Sequence, residues 1–547
     1  MKTLSKEQSI WVEKNLNAMT LEEKVAHLLC PSWDFHPKEE WKKTFEEIPC
    51  GSMFVADWDA DQLAGAIDSV QAISRIPCCI AADFENGWKL GTLYPSAMAC
   101  GAAKMPALMR KRGIATGREL RSAGIHWSFA PVVDMTINHR NVDTLNRCFS
   151  TDPGRLTSLV IPLIEGMQQG NRIAATAKHF PGTGVDDRDQ HLCTAINSLS
   201  VKQWRKTFGA VWQSVIDAGV MSVMAGHIAF PAYVGLSKNP WATLPATLDP
   251  QLMINLLRRD LGFDGVIVSD AGVMVGFASR VAKDEMAVRF IEAGGDVYLF
   301  PNVREDFGFL MAAVRKGRLT EERITASARR ILEMKARLGL NGHLAGEPIS
   351  AKTHADHASI SDKLSNNAMT VIRRNPAFAR AKKLGRGSRV LTVSIMVDNK
   401  REKHRSTPLD IVDAELTKRG MTVEHLDNPG HEVLLKKIVE CDMIFFNFEV
   451  LMHQIVGNAR VIDGFAMNFW KAFWFEYPEK VIFTSFGSPY HLYEFPHLPN
   501  MVLAYNPEPA CQKAAVKVWL GEMKAPGTLP VVMPLEAGPL ESVIGRS

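Results

Sequence analysis

The sequence predicts an α/β fold in which a (β/α)8 TIM barrel precedes a smaller α/β (αβα sandwich) domain. Runs of apolar and β-branched residues recur between positions 25 and 301, separated by amphipathic stretches long enough for helices. This alternation is typical of βαβ units in a parallel sheet. Eight such runs in roughly 300 residues favour a closed barrel. A doubly wound open sheet is the alternative for this half of the chain.

Most of the candidate strands end at a polar or charged residue. The strands read HLLCP, GSMFVA, PCCIAADF, HWSFAPVVD, ATAKHF, VMSVMAGH, GVIVSD and DVYLFP. In a TIM barrel the carboxyl ends of the strands meet at one face, where the active site forms, whereas an open sheet spreads them along a crevice. The residues expected to converge at that face are Asp83, Asp134, Lys178, His179, His227 and Asp270.

Chain length and local signals predict the domain boundaries. The 547 residues exceed one ordinary core, because a domain takes about 100–200 residues. A Thr-x-x-Glu capping box at 20–23 predicts a helix start, and two Gly and one Pro within 341–350 predict a helix stop. We predict a TIM-barrel catalytic domain over 1–345, a helical linker over 346–385 and an α/β sandwich domain over 386–547.

The second domain is predicted from further apolar runs that alternate with helix-like segments. They are GSRVLTVSIMV, TVEHLD, CDMIFFNF, EKVIFTSFG and NMVLAYNP. Nothing in these runs decides whether the domain forms a pocket wall, the surface of a homodimer or a stabilising appendage.

Composition favours a globular protein of a reducing compartment. The sequence is 46% hydrophobic, and no run approaches the about 18–20 apolar residues of a membrane span. The polar start argues against a secretion signal, and nine scattered cysteines suit reduced thiols, so we expect a cytoplasmic protein. The net charge of +4 and the short basic run at 398–405, which suits a solvated loop, do not favour a nucleic-acid partner.

The segment KHFPGTGVDDRDQH, residues 178–191, contains many side chains that can take part in acid/base catalysis or ligand binding. Lys178 and His179 end the fifth candidate strand and should point into the mouth of the barrel, while PGTG turns the chain into a loop. Asp189 and His191 are two residues apart, so a local turn can join carboxylate and imidazole. Such a carboxylate fixes the imidazole tautomer and favours its protonated form, which suits a group of unperturbed pKa about 6.5 to acid/base catalysis.

Two other interpretations of this segment stay open. Asp189 and His191 could instead satisfy backbone groups of the loop. The loop could also hold a divalent ion, although the ammonium of Lys178 would repel a cation. The ligands of such an ion would be His179, Asp186, Asp187, Asp189 and His191.

The pattern Lys-His-Phe-Pro-Gly-x-Gly-x4-Asp-x-His resembles the signature of glycoside hydrolase family 3, specifically its β-N-acetylglucosaminidase branch of two-domain bacterial type. Further motifs resemble that family in the same chain order. They are DFENG (83–87), FAPVVDM (129–135), RCF (147–149), VMAGHI (223–228) and PATLDPQLMINLLRRDLGFDGVIVSDAGVM (245–274). Together the matches cover most of residues 20–340, whereas the second domain is similar only loosely.

The resemblance implies a retaining mechanism. Asp270 matches the family's nucleophile, whose carboxylate forms a covalent glycosyl-enzyme that water opens with net retention. His191 matches the acid/base of this branch, and Asp189 would orient it. Taken alone, Asp270 would also suit the N-cap of the next helix. The resemblance implies neither a metal nor an organic cofactor.

The resemblance also assigns the sugar site. The residues that match the family's contacts to non-reducing-end hydroxyls are Asp83, Arg147, Lys178 and His179. Taken singly, an Arg or Lys near a strand end is more often a surface charge. Such contacts give specificity because a buried polar group left without its hydroxyl partner is costly.

Other pocket positions are less defined. Met224 and His227 either line the pocket or belong to the core. The sequence departs from the family at Asn86, where Gly is usual, and at Thr183, where His is common. These departures fall in the substrate shell, so they affect subsite detail more than reaction type.

We therefore expect an exo-acting β-N-acetylglucosaminidase that takes a small oligosaccharide, such as a chitooligosaccharide or a cell-wall fragment, and releases its terminal GlcNAc. No membrane or nucleic-acid partner is expected, and a homodimer stays open. A phosphorylase that releases GlcNAc-1-phosphate and a β-glucosidase are alternatives within the family. A sugar-binding protein that kept the barrel and lost catalysis is the alternative from another class.

Overall fold

The chain forms two compact units, which we call the barrel unit and the sandwich unit. The computed structural model describes residues 3–32, 38–56, 59–236, 238, 242–342, 346–396, 408–450 and 472–533. The barrel unit comprises Met1–Thr92, Pro106–Met135 and Leu156–His357, and the sandwich unit Leu93–Met105, Thr136–Arg155 and Ala358–Ser547. Two short early segments thus belong to the later unit, while the linear division at 345 and 385 stays a prediction.

The described part of the barrel unit contains ten strands. They are β1 (Leu29–Cys30), β2 (Ser52–Phe54), β3 (Cys79–Ala82), β4 (Trp127–Ser128), β5 (Ala174–Phe180), β6 (Ala195–Ile196), β7 (Ser222–Ala225), β8 (Ile228–Ala229), β9 (Val266–Ser269) and β10 (Tyr298–Leu299). The two short strands β6 and β8 pair only with each other. The other eight match the eight sequence runs one for one.

These eight strands close into a parallel barrel within the described residues. Strands β2, β3, β4, β5, β7 and β9 are neighbours in that order, and β10 pairs with β1. Bridges from Ser32 to Phe54 and from Val268 to Val297 join the remaining edges. The predicted TIM barrel is confirmed, and the open-sheet alternative is wrong for this half.

Burial explains why the sequence revealed these strands. Every residue of β3, β5, β7 and β9 is buried. A strand that is covered on both faces reads as a continuous apolar run rather than an alternating one. The carboxyl ends of all eight strands therefore meet at one face, which we call the barrel mouth.

Helices connect the strands of the barrel. In chain order the first thirteen are α1 (Lys6–Ala18), α2 (Leu21–Ala26), α3 (Lys38–Glu47), α4 (Ala60–Ile73), α5 (Ala97–Ala103), α6 (Pro106–Ser122), α7 (Pro153–Gln168), α8 (Val201–Lys206), α9 (Phe208–Asp217), α10 (Val275–Ala278), α11 (Met286–Glu292), α12 (Val303–Arg315) and α13 (Glu321–Arg337). A π-helix spans Gln251–Asp260. Helix α5 belongs to the sandwich unit.

Two predicted helix boundaries are confirmed. Thr20 Oγ1 accepts the Glu23 N–H at 3.2 Å, and the Glu23 carboxylate accepts the Thr20 N–H at 2.9 Å. These reciprocal bonds satisfy amides that the first turn of α2 leaves unpaired. At the other end of the barrel unit, α13 stops at Arg337, and Gly339 follows with φ of 72°.

The sandwich unit is built on a second sheet. Its described strands are β11 (Thr370–Arg373), β12 (Arg389–Met396), β13 (Thr422–Asp427), β14 (Met443–Glu449), β15 (Val481–Ser485) and β16 (Met501–Leu503), in spatial order β11-β16-β15-β14-β12-β13. The helices are α14 (Ala351–Ala368), α15 (Ala377–Ala381), α16 (Asp410–Lys418), α17 (His431–Glu440), α18 (His491–Glu494) and α19 (Pro509–Trp519). Strand β11 alone is antiparallel to its neighbour in this described sheet.

Alternate residues of this sheet enter different hydrophobic clusters. Phe446 and Phe448 of β14 pack in one cluster with Leu434 of α17. Phe445 packs in the other with Leu416 of α16. Because successive side chains of a strand point to opposite faces, both faces are covered by helices. The predicted αβα sandwich is confirmed.

Two features bear on the remaining expectations. Strand β11 lies inside 346–385, where the sequence predicts only a helical linker, so that stretch is part helix and part strand. The basic run at 398–405 lies outside the described residues. In the described parts of the chain, no helix combines the length and the apolar character that crossing a bilayer requires.

Candidate active site

Strand β5 ends at the barrel mouth with an irregular step. Its register against β7 shifts between Lys178 and Phe180. A bulge of this kind re-aims the neighbouring side chains. Consequently Lys178 contacts the segment after β3, while the adjacent His179 contacts residues that follow β4 and β9.

Lys178 is almost completely buried between two carboxylates. Its Nζ lies 2.6 Å from Asp83 Oδ1 and 2.8 Å from Glu85 Oε1, and its side chain is 1% exposed. A buried ammonium requires such partners, because an unpaired buried charge is strongly destabilising. Arg112 of α6 donates to the backbone carbonyl of Glu85 at 2.7 Å and holds this segment in place. The Asp83 side chain is 45% exposed, so it is accessible to a ligand.

The imidazole of His179 lies between two aspartates. Its Nδ1 is 2.8 Å from Asp134 Oδ2, and because a carboxylate only accepts, Nδ1 carries the hydrogen. Asp134 also accepts the backbone N–H groups of His179 at 3.1 Å and of Thr183 at 2.9 Å. The other ring nitrogen, Nε2, is 3.9 Å from Asp270 Oδ2, which is too long for a hydrogen bond. Asp134 therefore sets the orientation of the ring toward Asp270.

Asp270 follows β9 and has one bonded and one open carboxylate oxygen. Oδ1 accepts the Ala271 N–H at 2.8 Å. Oδ2 is buried and has no hydrogen-bond partner among the described residues. Burial raises the pKa of this carboxyl, but nearby imidazoles and the bonded N–H outweigh burial and bring the pKa below its ordinary value. Asp270 is therefore ionised at neutral pH, with the lone pairs of Oδ2 unused.

The loop after β5 joins Asp189 and His191. Nδ1 of His191 is 2.6 Å from Asp189 Oδ1, and the same oxygen accepts the His191 N–H at 2.8 Å. Nδ1 therefore carries a hydrogen, so in the neutral ring Nε2 is the acceptor nitrogen. Asp189 is buried, whereas 21% of the His191 side chain is exposed. The backbone-only interpretation of this Asp-x-His is thus incomplete, because the two side chains also bond each other.

The Asp-x-His loop is fastened to the segment that follows Asp270. The Val275 N–H donates to the His191 carbonyl at 3.0 Å, and Thr194 Oγ1 donates to the Gly276 carbonyl at 2.7 Å. A side chain at position 276 would meet a backbone oxygen of the loop at 2.3 Å, so this close approach requires glycine. The loop and the carboxyl end of β9 therefore lie at the same end of the barrel.

Among the donors of the metal interpretation, Asp186 and His179 bind partners outside that set, whereas Asp189 and His191 bond each other. Asp186 accepts from the Arg188 guanidinium at 2.8 Å and from the Ile196 N–H at 2.9 Å. His179 is bonded to Asp134, and His191 to Asp189, as described above. A cation shared by these residues would have to displace several of these hydrogen bonds.

Two predicted pocket residues lie in different surroundings. Arg147 ends a short 3-10 helix, Leu145–Arg147, in the sandwich unit, and its Nη1 donates to the Asp143 carbonyl at 2.8 Å. Its part in sugar binding stays a prediction. Met224 is buried in β7.

Sequence reasoning overlooked Glu85 and gave Asp134 no role. Glu85 follows Asp83 by two residues, a spacing that puts both on one side of an extended chain, so this signal could have found it. Asp134 meets its partner His179 across 45 residues of sequence. No local pattern reveals such a contact.

Comparisons with known proteins show which family the chain resembles. A family model described as the glycosyl hydrolase family 3 N-terminal domain matches residues 20–334. A β-N-acetylglucosaminidase/β-glucosidase from Cellulomonas fimi is 30% identical over an alignment of 555 residues, gaps included. The alignment covers 95% of this chain and 95% of that relative.

Two solved structures resemble the whole chain. A family 3 β-N-acetylglucosaminidase from Paenibacillus sp. strain FPU-7 is 26% identical with a TM-score of 0.81, covering 94% of this chain and 99% of that one. A β-glucoside phosphorylase is 25% identical with a TM-score of 0.83, covering 98% of each chain. Since the family model spans more than half of the sequence and the Cellulomonas relative nearly all of it, the chain belongs to glycoside hydrolase family 3.

Proposed function

We propose that the protein is a retaining exo-β-N-acetylglucosaminidase with Asp270 as nucleophile and His191, oriented by Asp189, as acid/base. The observation that carries this proposal is a buried, ionised carboxylate with one open oxygen at the same barrel mouth as an Asp-bonded imidazole. These are the two groups that a two-step displacement at a sugar carbon requires.

In the first step, Asp270 Oδ2 attacks the anomeric carbon and forms a glycosyl ester. The bond from that carbon to the leaving oxygen breaks, and the proton on His191 Nε2 passes to the departing oxygen. Asp189 stabilises the imidazolium before this transfer, because Nδ1–H remains bonded to its carboxylate. The aglycone leaves as a neutral alcohol.

In the second step, neutral His191 takes a proton from water at Nε2. The water oxygen bonds to the anomeric carbon, the ester bond breaks, and Asp270 is released as a carboxylate. Two inversions give net retention. The low pKa of Asp270 suits this role, since a weakly basic carboxylate is both ionised before attack and a competent leaving group afterwards.

Sugar hydroxyls are recognised by charged groups that are already fixed. Lys178 is held by Asp83 and Glu85, and His179 by Asp134. Arg147 adds a further contact in this proposal. Preorganised groups of this kind are costly to leave unpaired, so they discriminate strongly for hydroxyls.

The substrate assignment follows the relatives. The Cellulomonas and Paenibacillus proteins are both named β-N-acetylglucosaminidases, so terminal GlcNAc on chitooligosaccharides or cell-wall fragments is the substrate we assign. All nine cysteines are free thiols, mostly buried, which supports a cytoplasmic location. No metal or organic cofactor enters the proposed reaction.

Phosphorolysis is the second candidate, because one of the similar structures is a β-glucoside phosphorylase. An imidazole acid/base repels phosphate less than a carboxylate would, so phosphate could replace water in the second step. The product would then be GlcNAc-1-phosphate.

One set of assays separates these functions. Rates are measured on 4-nitrophenyl β-GlcNAc and on 4-nitrophenyl β-glucoside, each with and without phosphate. We expect the GlcNAc compound to be cleaved faster and phosphate to leave the rate and the free-sugar product unchanged. Preference for the glucoside, or formation of sugar 1-phosphate, would contradict the proposal.

A further inference from the structure

His227 makes two ring contacts that fix its protonation state. It follows β7, is fully buried and stacks on Phe277 with ring centroids 5.1 Å apart. Its Nε2 is 3.0 Å from the carbonyl oxygen of Ala271, and its Nδ1 is 3.0 Å from Thr247 Oγ1. Because a carbonyl only accepts, Nε2 carries the hydrogen, and Nδ1 accepts from the Thr247 hydroxyl. Burial also lowers the pKa of His227, so the ring is neutral.

The main chain of His227 is bonded to the Asp-x-His loop. Its N–H donates to Gln190 Oε1 at 3.1 Å, and its carbonyl accepts the Ala195 N–H at 3.2 Å. The pairing continues one residue further, where β6 and β8 form their two-stranded parallel ladder. Gln190 lies between Asp189 and His191 in the sequence. The same residue therefore holds the proposed acid/base loop through its backbone and the proposed nucleophile segment through its ring.

We propose that His227 is a positioning residue whose ring places the Asp270 carboxylate for attack while its backbone holds the loop that carries His191. This inference rests on the proposed function of those two groups. His227 does not touch the sugar or exchange a proton in the reaction. It acts through the peptide carbonyl of Ala271, next to Asp270, and through the loop that carries His191.

The contacts of His227 with the loop matter because the proposed acid/base, His191, is on that loop and not on a barrel strand. Loops are more mobile than the elements they connect. Misplacing a reacting group by about 1 Å can cost about 100-fold in rate. The contacts of Val275 and Gly276 with the loop use the same segment that begins at Ala271. Fixing the start of that segment therefore fixes both catalytic groups together.

Three variants test the role of the ring. His227→Leu removes both ring hydrogen bonds, His227→Gln places a side-chain N–H that can reach the Ala271 carbonyl, and Thr247→Val removes the donor to Nδ1. The probe is 5-fluoro-N-acetylglucosaminyl fluoride, which forms the glycosyl ester with a leaving group that needs little acid assistance. The measured quantity is its first-order inactivation rate constant at saturation, with the melting temperature of each variant as a control.

A first-order constant does not depend on how much protein is folded, so a merely structural role would not change it. We expect His227→Leu to lower the constant about 100-fold, His227→Gln to recover at least tenfold of that loss, and Thr247→Val to lower it several-fold. An unchanged constant in His227→Leu would overturn the inference. If that variant does not fold, a wild-type constant in Thr247→Val would overturn the inference as well.

Different results would contradict the proposed substrate and the positioning role of His227. The same inactivation is measured with 5-fluoroglucosyl fluoride. If the wild type is inactivated by this glucosyl analogue and not by 5-fluoro-N-acetylglucosaminyl fluoride, the substrate assignment is wrong. The three variants are then compared with the glucosyl analogue, and the same ranking supports the positioning role. Wild-type constants throughout would contradict the positioning role, whichever sugar is accepted.

Discussion

Two buried aspartates in neighbouring segments of the barrel show how differently its two ends are built. Asp270 follows β9 at the mouth, and Asp296 precedes β10 at the opposite end. Burial raises the pKa of each carboxyl, but the surrounding groups, imidazoles at Asp270 and guanidinium groups at Asp296, bring each pKa below its ordinary value. Yet Asp270 leaves Oδ2 without a hydrogen bond among the described residues, whereas Asp296 uses both oxygens.

The partners of Asp296 form a saturated cluster. Its Oδ2 accepts from Arg258 at 2.5 Å and from the Ile267 N–H at 2.9 Å, and its Oδ1 accepts from Ser327 at 2.6 Å and from Arg330 at 3.1 Å. Such a site has no capacity left for a ligand. At these two aspartates, an unused carboxylate oxygen accompanies the proposed chemistry, whereas a carboxylate with both oxygens bonded holds parts of the fold together.

The largest expected effect is the loss of activity on replacing Asp270, a loss that we do not expect at Asp296. Asp270→Ala should lower kcat on 4-nitrophenyl β-GlcNAc by about 10⁴-fold or more, because the group that forms the glycosyl ester is lost. The melting temperature should change little, since within the described residues the Asp270 carboxylate accepts one hydrogen bond, from the N–H of the adjacent Ala271. Steady-state kinetics and thermal unfolding of the purified variant measure both quantities. Activity near the wild-type value would remove Asp270 from the mechanism.

His191→Ala should have the next largest effect, and it should depend on the leaving group. General acid catalysis contributes about 10²–10⁴-fold, so cleavage of chitobiose should fall by that amount. The first step with 2,4-dinitrophenyl β-GlcNAc should fall far less, because this phenolate leaves without a proton. Pre-steady-state kinetics on both substrates make the comparison. An equal loss on both would show that His191 is not the acid.

Asp296→Asn should lower the stability of the fold and leave kcat nearly unchanged, which is the opposite of the result expected for Asp270→Ala. Removing the charge leaves the half-buried Arg258, Arg330 and Arg323 around a neutral, buried amide, which should cost about 3 kcal/mol of unfolding free energy. Urea denaturation measures this loss. The kcat of the folded enzyme, measured well below the unfolding transition, should stay near wild type. A specific loss of kcat with normal stability would contradict the division between the two ends.

The smallest expected effect is that of Lys335→Met, which should stabilise the fold, whereas Asp296→Asn destabilises it. It lies on α13, which also carries Ser327 and Arg330 of the Asp296 cluster, but its Nζ is buried without a hydrogen-bond partner among the described residues. Burial lowers the pKa of Lys335 below its ordinary value. Replacing this amine by a side chain of similar volume, Lys335→Met, should raise the unfolding free energy by about 1–3 kcal/mol at pH 7.

The pH dependence of that gain follows from the direction of the shift. Between the lowered pKa of the folded chain and the unfolded value of about 10.4, the unfolded chain holds more of the Lys335 proton than the folded chain, so wild-type stability rises with pH in that window. Lys335→Met removes that slope. Urea midpoints at pH 7 and pH 10.5 should therefore differ between variant and wild type at the lower pH and converge at the higher. A destabilised variant at pH 7 would show that Lys335 has a favourable role.

The barrel could be predicted because its signals are local. Buried strands such as β5 and β9 read as apolar runs, and the Thr20 capping box lies within four residues. Strand β11 was missed because it is a half-buried edge strand whose identity depends on pairing with β16, more than a hundred residues away. The sequence also gives no sign that 93–105 and 136–155 belong to the sandwich unit, since a change of unit leaves no mark in composition.

The candidate site was predicted in part. Asp189 and His191 could be paired from their spacing, and Asp270 from a motif, but neither signal reveals that Oδ2 is open. That property depends on His179 lying 3.9 Å away rather than at bonding distance, and on Asp134 holding the ring there. The role that we give to His227 likewise depends on contacts across 44 and 37 residues. Tertiary geometry sets these distances.

The most direct test of the central claim is mass spectrometry of the protein after inactivation by 5-fluoro-N-acetylglucosaminyl fluoride. We expect one fluorosugar per chain, attached through an ester to the peptide that contains Asp270. An adduct on any other carboxylate, with the Asp270 peptide unmodified, would contradict it.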